Sequence, residues 1–161
     1  LTYYGKGVTP RELREPMGLY IYGCDRCQNV CPRNISWITS DKSTTQRFER
    51  MSEDFAPEQV LLMNQEYFKK RIWPFMFYMS YKEVWRWRMN AARAMGNAGD
   101  RKYIPYLIKA FNEFDDERVR IMIAWSLGKL GGDDSLSALR NFIVNAEGEL
   151  REEIEFALAL S

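Results

Sequence analysis

The chain has 161 residues, of which 46% are hydrophobic and 14% aromatic, enough to bury a sizeable core. Its 23 Lys and Arg balance 22 Asp and Glu, so the net charge of +1 selects no class of partner. The sequence has no His, which excludes Ser-His and Cys-His nucleophile pairs, and no apolar run approaches the ~20 residues of a membrane span.

Residues 1–40 are rich in Gly, Pro, Tyr and Cys, whereas helical periodicity begins near residue 57. Thr9 followed by Pro10 predicts a short helix with Thr9 as its N-cap and an end near Gly18. Because the chain begins at Leu1, without Met or a signal-peptide pattern, we expect it to be truncated at its amino terminus.

The three cysteines, Cys24, Cys27 and Cys31, lie in one C-x2-C-x3-C-P motif. An odd number of clustered thiols favours metal or redox chemistry over disulfides. Structural zinc is an alternative that lacks a fourth ligand here, and plain buried thiols are another. The C-x3-C-P step matches the end of a bacterial ferredoxin motif, whose last Cys ligates the other cluster of a pair. The motif therefore predicts ligands of two [4Fe-4S] clusters, with five further cysteines outside this sequence.

A polar stretch follows, and residues 41–56 are predicted to form a flexible surface linker. Apolar residues at helical spacing then predict a helix over residues 57–70. The next aromatic residues are expected to pack in the core at the amino-terminal end of the helical region; they are Trp73, Phe75, Phe77 and Tyr78.

The rest of the sequence repeats itself at an offset of 32 residues. Gly96 and Gly99 of the first unit align with Gly128 and Gly131 of the second. Downstream, both units carry apolar residues at i, i+3 and i+7, so each unit is a predicted pair of helices, and a third, incomplete copy begins at Leu150. Small residues on the first helix of each pair are expected to let the paired helix approach closely.

Helix pairs that cannot bury their apolar faces alone must stack into a solenoid. The pattern resembles HEAT-like repeats. The predicted fold is therefore all-α, with a partial, loop-rich ferredoxin-type segment over residues 1–40, a linker over 41–56, and a short HEAT-like α-solenoid over 57–161.

The chain also resembles one enzyme family over most of its length. The matching stretches are residues 1–7, 10–14, 17–18, 21–32, position 34, and in the first repeat 90–92 and 96–97. They are similar to the second cluster motif and the helical region of the epoxyqueuosine reductases, which reduce epoxyqueuosine to queuosine in the anticodon loop of tRNA. Arg33 stands where the family usually has Trp, and Asp25-Arg26 where two acidic residues are common, so a paralogue with another substrate stays open.

The resemblance implies a cytoplasmic oxidoreductase with a cobalamin-binding catalytic domain, a two-cluster ferredoxin module and a HEAT-like region. In that arrangement an external donor supplies electrons through two [4Fe-4S] clusters to cobalamin, and Cys24, Cys27 and Cys31 are cluster ligands. The cobalamin site and the catalytic residues of the family belong to a domain upstream of Leu1. We therefore expect no catalytic residue in this chain, and no activity from it alone.

Residues 69–102 are markedly basic, while residues 147–155 are rich in Glu. A localised positive face suits contact with tRNA phosphates, and Trp85 or Trp87 could stack on a base. The candidate RNA-binding residues are Lys69, Lys70, Arg71, Arg86, Arg88 and Arg93. The second hypothesis is a non-catalytic HEAT-repeat module, metal-free or stapled by zinc, that binds another protein through its concave face.

Overall fold

The computed structural model describes residue 2 and residues 5–40, 46–77 and 79–160, and within these ranges it contains helices and no strand. The amino-terminal segment has three short helices, α1 (Arg11–Arg14), α2 (Arg26–Asn29) and α3 (Pro32–Ile38). The next described helices are α4 (Gln46–Asp54), α5 (Pro57–Leu62) and α6 (Gln65–Tyr67). A π-helical turn over Phe68–Ile72 follows directly.

The remaining chain forms helix pairs. Their bounds are α7 (Val84–Ala98), α8 (Ile104–Glu113), α9 (Glu117–Leu130), α10 (Asp133–Phe142) and α11 (Gly148–Ala159), with 3-10 turns at Tyr81–Glu83, Arg101–Tyr103 and Ile143–Asn145. Helix α9 lies between α7 and α11, while α8 and α10 form the second helices of the two complete units. This arrangement confirms the predicted all-α solenoid.

Two equivalent glycines mark a close approach between units, whereas the sequence predicted close approach within each helix pair. A Cβ on Gly96 would lie 2.9 Å from Oγ of Ser126, and a Cβ on Gly128 would lie 2.7 Å from Cα of Ala157. Each glycine therefore marks the point where the first helix of one unit meets the first helix of the next. The aligned Gly99 closes α7 in the left-handed conformation, with φ of 67°, as Gly at that position predicts.

Three predictions about the segments before the repeats need correction. Thr9 is not an N-cap, because Pro10 has extended ψ and occupies the cap position itself, so α1 begins one residue later. The predicted helix over residues 57–70 is broken after Leu62, since the side chain of Asn64 caps a new turn by accepting from the amide of Tyr67. Residues 46–54 of the predicted linker are helical, and residues 41–45 lie outside the described residues.

The prediction of a wholly buried aromatic run is also wrong. Trp73 is 49% exposed and Phe77 is 68% exposed, while Phe75 is partly buried and meets the ring edge of Phe55 at 6.3 Å. Tyr78 lies outside the described residues. The turn after the π-helix directs these rings outward, and the core beneath it is filled by Phe68, Ile72 and Met79.

Candidate functional site

The cysteine motif lies on a short loop and the starts of two helices. Gly23, with φ of 68°, turns the chain just before Cys24, and Cys27 lies within α2. Cys31 occupies the N-cap position of α3, which begins at Pro32 because the proline ring suits the first helical turn. Cys24 and Cys27 are exposed, Cys31 is partly exposed, and all three are free thiols.

Local hydrogen bonds support this loop. The Gly23 amide donates to the hydroxyl of Thr2 at 3.2 Å, and Nδ2 of Asn34 donates to Oε1 of Gln28 at 2.6 Å, joining α3 to α2. An open cavity of about 280 Å³ adjoins Cys24. Its lining consists of Thr2, Pro16, Met17, Tyr20, Gly23, Cys24 and Arg26.

The donor chemistry of this loop suits an iron-sulfur cluster, because thiolates are the usual cluster ligands and these thiols reach solvent. The number of donors does not complete a cluster, since a [4Fe-4S] centre takes four thiolates. Across the described residues, no group of three or more Cys, His, Asp or Glu side chains is arranged to hold a single metal ion. The loop could therefore supply part of the ligand set of such a centre, but not all of it.

A polar stripe on α7 holds the chain that leads into the cysteine loop. Arg86, Asn90, Arg93 and Asn97 recur at helical spacing along one side of α7, and we call them the α7 polar stripe. Their side chains donate to backbone carbonyls of the amino-terminal segment, and Arg86 Nη1 also forms an ion pair with Glu83 at 3.0 Å. Backbone carbonyls need such donors when they are covered by a helix.

The individual bonds run in order along the stripe. Arg86 Nε donates to the Gly5 carbonyl at 3.0 Å, and Asn90 Nδ2 donates to the Thr2 carbonyl at 3.0 Å. The fully buried Arg93 donates to the carbonyls of Gly18, at 2.8 Å, and Tyr20. Asn97 Nδ2 donates to the carbonyls of Arg14, at 2.8 Å, and Gly18, at 2.9 Å.

Arg93 is the most constrained member of the stripe. No carboxylate of the described residues pairs with it, and burial lowers its pKa to about 10. The guanidinium therefore remains charged at neutral pH, and it donates to the carbonyls of Gly18 and Tyr20, which lie five and three residues before Gly23. Nearby, the ring of Tyr22 stacks on Trp87 with centroids 5.0 Å apart. These contacts fix the backbone that enters the cysteine loop.

The same segment also crosses the first helices of the later units. Lys129 of α9, which aligns with Asn97 in the repeat, forms an ion pair with Glu15. On α11, Glu153 is 4% exposed and accepts from Arg14 Nη1 at 2.7 Å and from Arg11 Nε at 3.1 Å. The amino-terminal segment thus lies across α7, α9 and α11, which the sequence prediction of two parts joined by a flexible linker did not anticipate.

The predicted RNA-binding residues divide into two groups. Arg86 and Arg93 are buried in the stripe, so the expectation that they face phosphates is wrong. Arg88 is partly buried, donating to the Met63 carbonyl at 2.7 Å with its guanidinium 3.5 Å from the ring centre of Phe114. Burial lowers its pKa. In the sequence these three arginines look like part of a basic surface. In the structure their guanidinium groups donate to carbonyls within the protein.

The other three predicted residues remain at the surface. Lys69, Lys70 and Arg71 are exposed on the π-helical turn and form one basic cluster. Of the two candidate stacking rings, Trp87 is 2% exposed and cannot meet a base. Trp85 is partly covered by Arg118, whose guanidinium lies 3.5 Å from the ring centre.

Sequence comparison agrees with this architecture. Residues 80–159 match the family of HEAT repeats. An epoxyqueuosine reductase from Bacillus cereus is 28% identical over 153 residues, which cover 92% of this chain and 38% of that protein.

Two solved structures of epoxyqueuosine reductases are also similar to this chain. The epoxyqueuosine reductase of Bacillus subtilis superimposes with a TM-score of 0.73 at 26% identity, covering 97% of this chain and 41% of that one. A crystal structure of epoxyqueuosine reductase with an epoxyqueuosine-modified tRNA-Tyr stem loop superimposes with a TM-score of 0.72 at 26% identity, with the same coverage.

The chain is epoxyqueuosine reductase-like. The resemblance inferred from the sequence is thereby confirmed, and it relates the chain to an enzyme of tRNA queuosine modification. The epoxyqueuosine reductase-like chain spans only about 38% of the length of its relative from Bacillus cereus. None of its described helices is long and apolar enough to cross a membrane.

Proposed function

We propose that this chain is the electron-relay and substrate-docking part of a cobalamin-dependent iron-sulfur oxidoreductase resembling epoxyqueuosine reductase. The observation that carries the proposal is the attachment of the segment that leads into the cysteine loop to the helical repeats through the α7 polar stripe. A redox centre needs ligands held in fixed positions, and buried donors on a rigid helix provide that support. In this proposal the repeats are the scaffold that positions the cysteine loop.

In this proposal Cys24 and Cys27 ligate one [4Fe-4S] cluster and Cys31 ligates a second, with the remaining thiolates supplied by cysteines upstream of Leu1. The clusters would transfer single electrons from an external donor towards cobalamin in an upstream catalytic domain. The residues of this chain bind and orient the clusters, and none of them contacts the reacting atoms of the substrate. The chain alone is therefore proposed to be inactive.

The proposed nucleic-acid partner is tRNA. Its support is the exposed basic cluster of Lys69, Lys70 and Arg71, together with the solved relative that holds a tRNA stem loop. Because Arg86 and Arg93 are buried, the proposed tRNA contact now rests on Lys69, Lys70 and Arg71.

Iron and acid-labile sulfide analysis tests the relay. The protein would be reconstituted anaerobically in two forms, one extended upstream of Leu1 and one consisting of this chain. We expect about eight irons per extended chain, as two four-iron clusters require, and substoichiometric iron in this chain. Absence of iron from both forms would refute the relay.

A protein-binding repeat module is the second candidate function. It is favoured by a groove of about 870 Å³ between α8 and α10, floored by Phe111 and Phe142, whose rings stack with centroids 3.7 Å apart. A module of this kind would function without iron, so the same iron analysis separates the two candidates.

A further inference from the structure

A cluster of exposed aromatic side chains lies beside the basic cluster. Trp73 is 49% exposed and Tyr81 is 44% exposed, and the two rings line one cleft of about 560 Å³. The other lining residues are Phe68, Lys69, Met79 and Ser80. We call this the aromatic cleft. Its volume lies in the range of small-molecule sites, which are about 300–1,000 Å³.

The cleft combines an apolar floor with a positive rim. Phe68 and Met79 are 0% and 3% exposed and form the floor. Lys69 stands at the rim with its Nζ 5.0 Å from the ring centre of Tyr81, and it forms no ion pair with any described residue. A ligand for this cleft needs a flat ring for the aromatic walls and an anion for Lys69.

The neighbouring cations extend the positive rim. Lys70 is paired with the exposed Glu66 at 2.7 Å, and Arg71 lies 3.8 Å from Asp54, a loose pair. The exposed pair of Lys70 and Glu66 contributes little energy, so it holds Lys70 only weakly. The charge around the cleft therefore complements a phosphodiester strand, whereas an uncharged apolar peptide would leave the cations unused.

We propose that the aromatic cleft binds one unpaired nucleotide of an RNA strand, with the base stacked on Trp73 or Tyr81 and the adjacent phosphate at Lys69. Single-stranded RNA is commonly recognised by stacking of splayed bases on aromatic side chains. The proposal rests on the proposed tRNA contact and adds to it a specific pocket that requires an unpaired base.

The test compares two RNA probes, a hairpin with an unpaired loop and a fully paired duplex of the same stem sequence. At least one of Trp73→Ala and Tyr81→Ala is expected to weaken hairpin binding about 10-fold, as loss of one stacked base does, and neither is expected to change duplex binding. Trp73→Phe keeps a stacking ring and is expected to retain most of the affinity. Tyr106→Ala is the matched control, because Tyr106 is 39% exposed outside the cleft.

The basic cluster provides the second arm. Lys69→Ala combined with Lys70→Ala is expected to weaken both probes and to reduce the salt dependence of binding. If the lysine variant weakens binding while both aromatic variants bind the hairpin as the parent does, the aromatic cleft is refuted and the RNA contact stands. If no variant changes binding of either probe, both proposals fall, while the iron analysis still decides the relay. Thermal unfolding of each variant checks that the fold is intact.

Discussion

Glu153 shows how one buried charge joins the two ends of the chain. It lies on the last helix, yet its carboxylate accepts hydrogen bonds from Arg11 and Arg14 of the first helix. Arg14 is itself 3% exposed and has the Trp125 ring 5.7 Å away on its other side. The guanidinium of Arg14 can be buried because the Glu153 carboxylate offsets the cost of removing its charge from water.

Glu153→Gln is therefore expected to destabilise the chain strongly. Loss of one partner from a buried ion pair leaves the other uncompensated, which costs about 3–5 kcal/mol of unfolding free energy. Urea unfolding measures the loss. Glu152→Gln, at the exposed neighbouring position, is the control and is expected to change stability by less than about 0.5 kcal/mol. Equal effects of the two substitutions would contradict the role given to Glu153.

Arg93→Met tests the α7 polar stripe at its most buried member. The variant keeps a long apolar side chain but leaves the Tyr20 carbonyl without its donor and the Gly18 carbonyl with Asn97 alone, at a cost of about 1–3 kcal/mol for the unsatisfied group. We expect faster hydrogen exchange and proteolysis at residues 14–22. Arg140→Met, on the exposed side of α10, is the control. Unchanged protection of residues 14–22 would show that Arg93 does not hold the segment.

At the scale of elements, α7 and α9 show what the sequence could predict. The coincident glycines predicted the repeat period, because equivalent positions leave a periodic signature. The small residues were expected to admit the paired helix, whereas Gly96 and Gly128 contact the first helix of the next unit. Asn64 lies inside the predicted helix over 57–70, and Asn is a common N-cap residue. The apolar periodicity favoured one continuous helix, so the break at Asn64 was not predicted. The helical spacing of Arg86, Asn90, Arg93 and Asn97 was also visible, but it suited a solvated basic face equally well.

The partners of the α7 polar stripe could not be predicted from the pattern. The Arg93 bonds join residues 75 and 73 positions apart in sequence, and the acceptors are carbonyls, which every residue possesses. The residue types of the amino-terminal segment therefore do not show which of its carbonyls accept from Arg93. The exposure of Trp73 was missed for a similar reason, since the outward turn after the π-helix depends on tertiary packing.

Gly128→Ala tests the packing between units. The added Cβ would lie 2.6 Å from the carbonyl oxygen of Ala157, a backbone atom that cannot move without shifting α11. Overpacking should outweigh the higher helix propensity of Ala and give a net destabilisation on the order of 1–2 kcal/mol in thermal or urea unfolding. Gly7→Ala is the control, because nothing lies within 4 Å of its Cβ position. A stabilised Gly128→Ala variant would contradict the close approach.

Across the complete fold, the two parts of the amino-terminal segment differ in how many contacts they make with the helical repeats. Residues 5–22 are held by α7, α9 and α11, whereas residues 23–30 are exposed and have local hydrogen bonds. Metal ligation adds order where protein contacts are few. The cysteine loop should therefore depend on the clusters more than the segment that leads into it.

Hydrogen exchange with and without clusters measures this difference in the extended protein. On removal of iron we expect amides of residues 23–40 to exchange faster, while residues 5–22 keep most of their protection. Loss of protection over both ranges would show that the helices do not hold residues 5–22 independently of metal.

If the three cysteines serve two clusters, as proposed, the iron stoichiometry of single cysteine variants will show it. In the extended, reconstituted protein, Cys24→Ser and Cys31→Ser are each expected to lose about four of eight irons, and the double variant nearly all of them. Electron paramagnetic resonance of the two single variants should then show different residual clusters. The same residual cluster in both variants, or full iron content in either, would contradict the account.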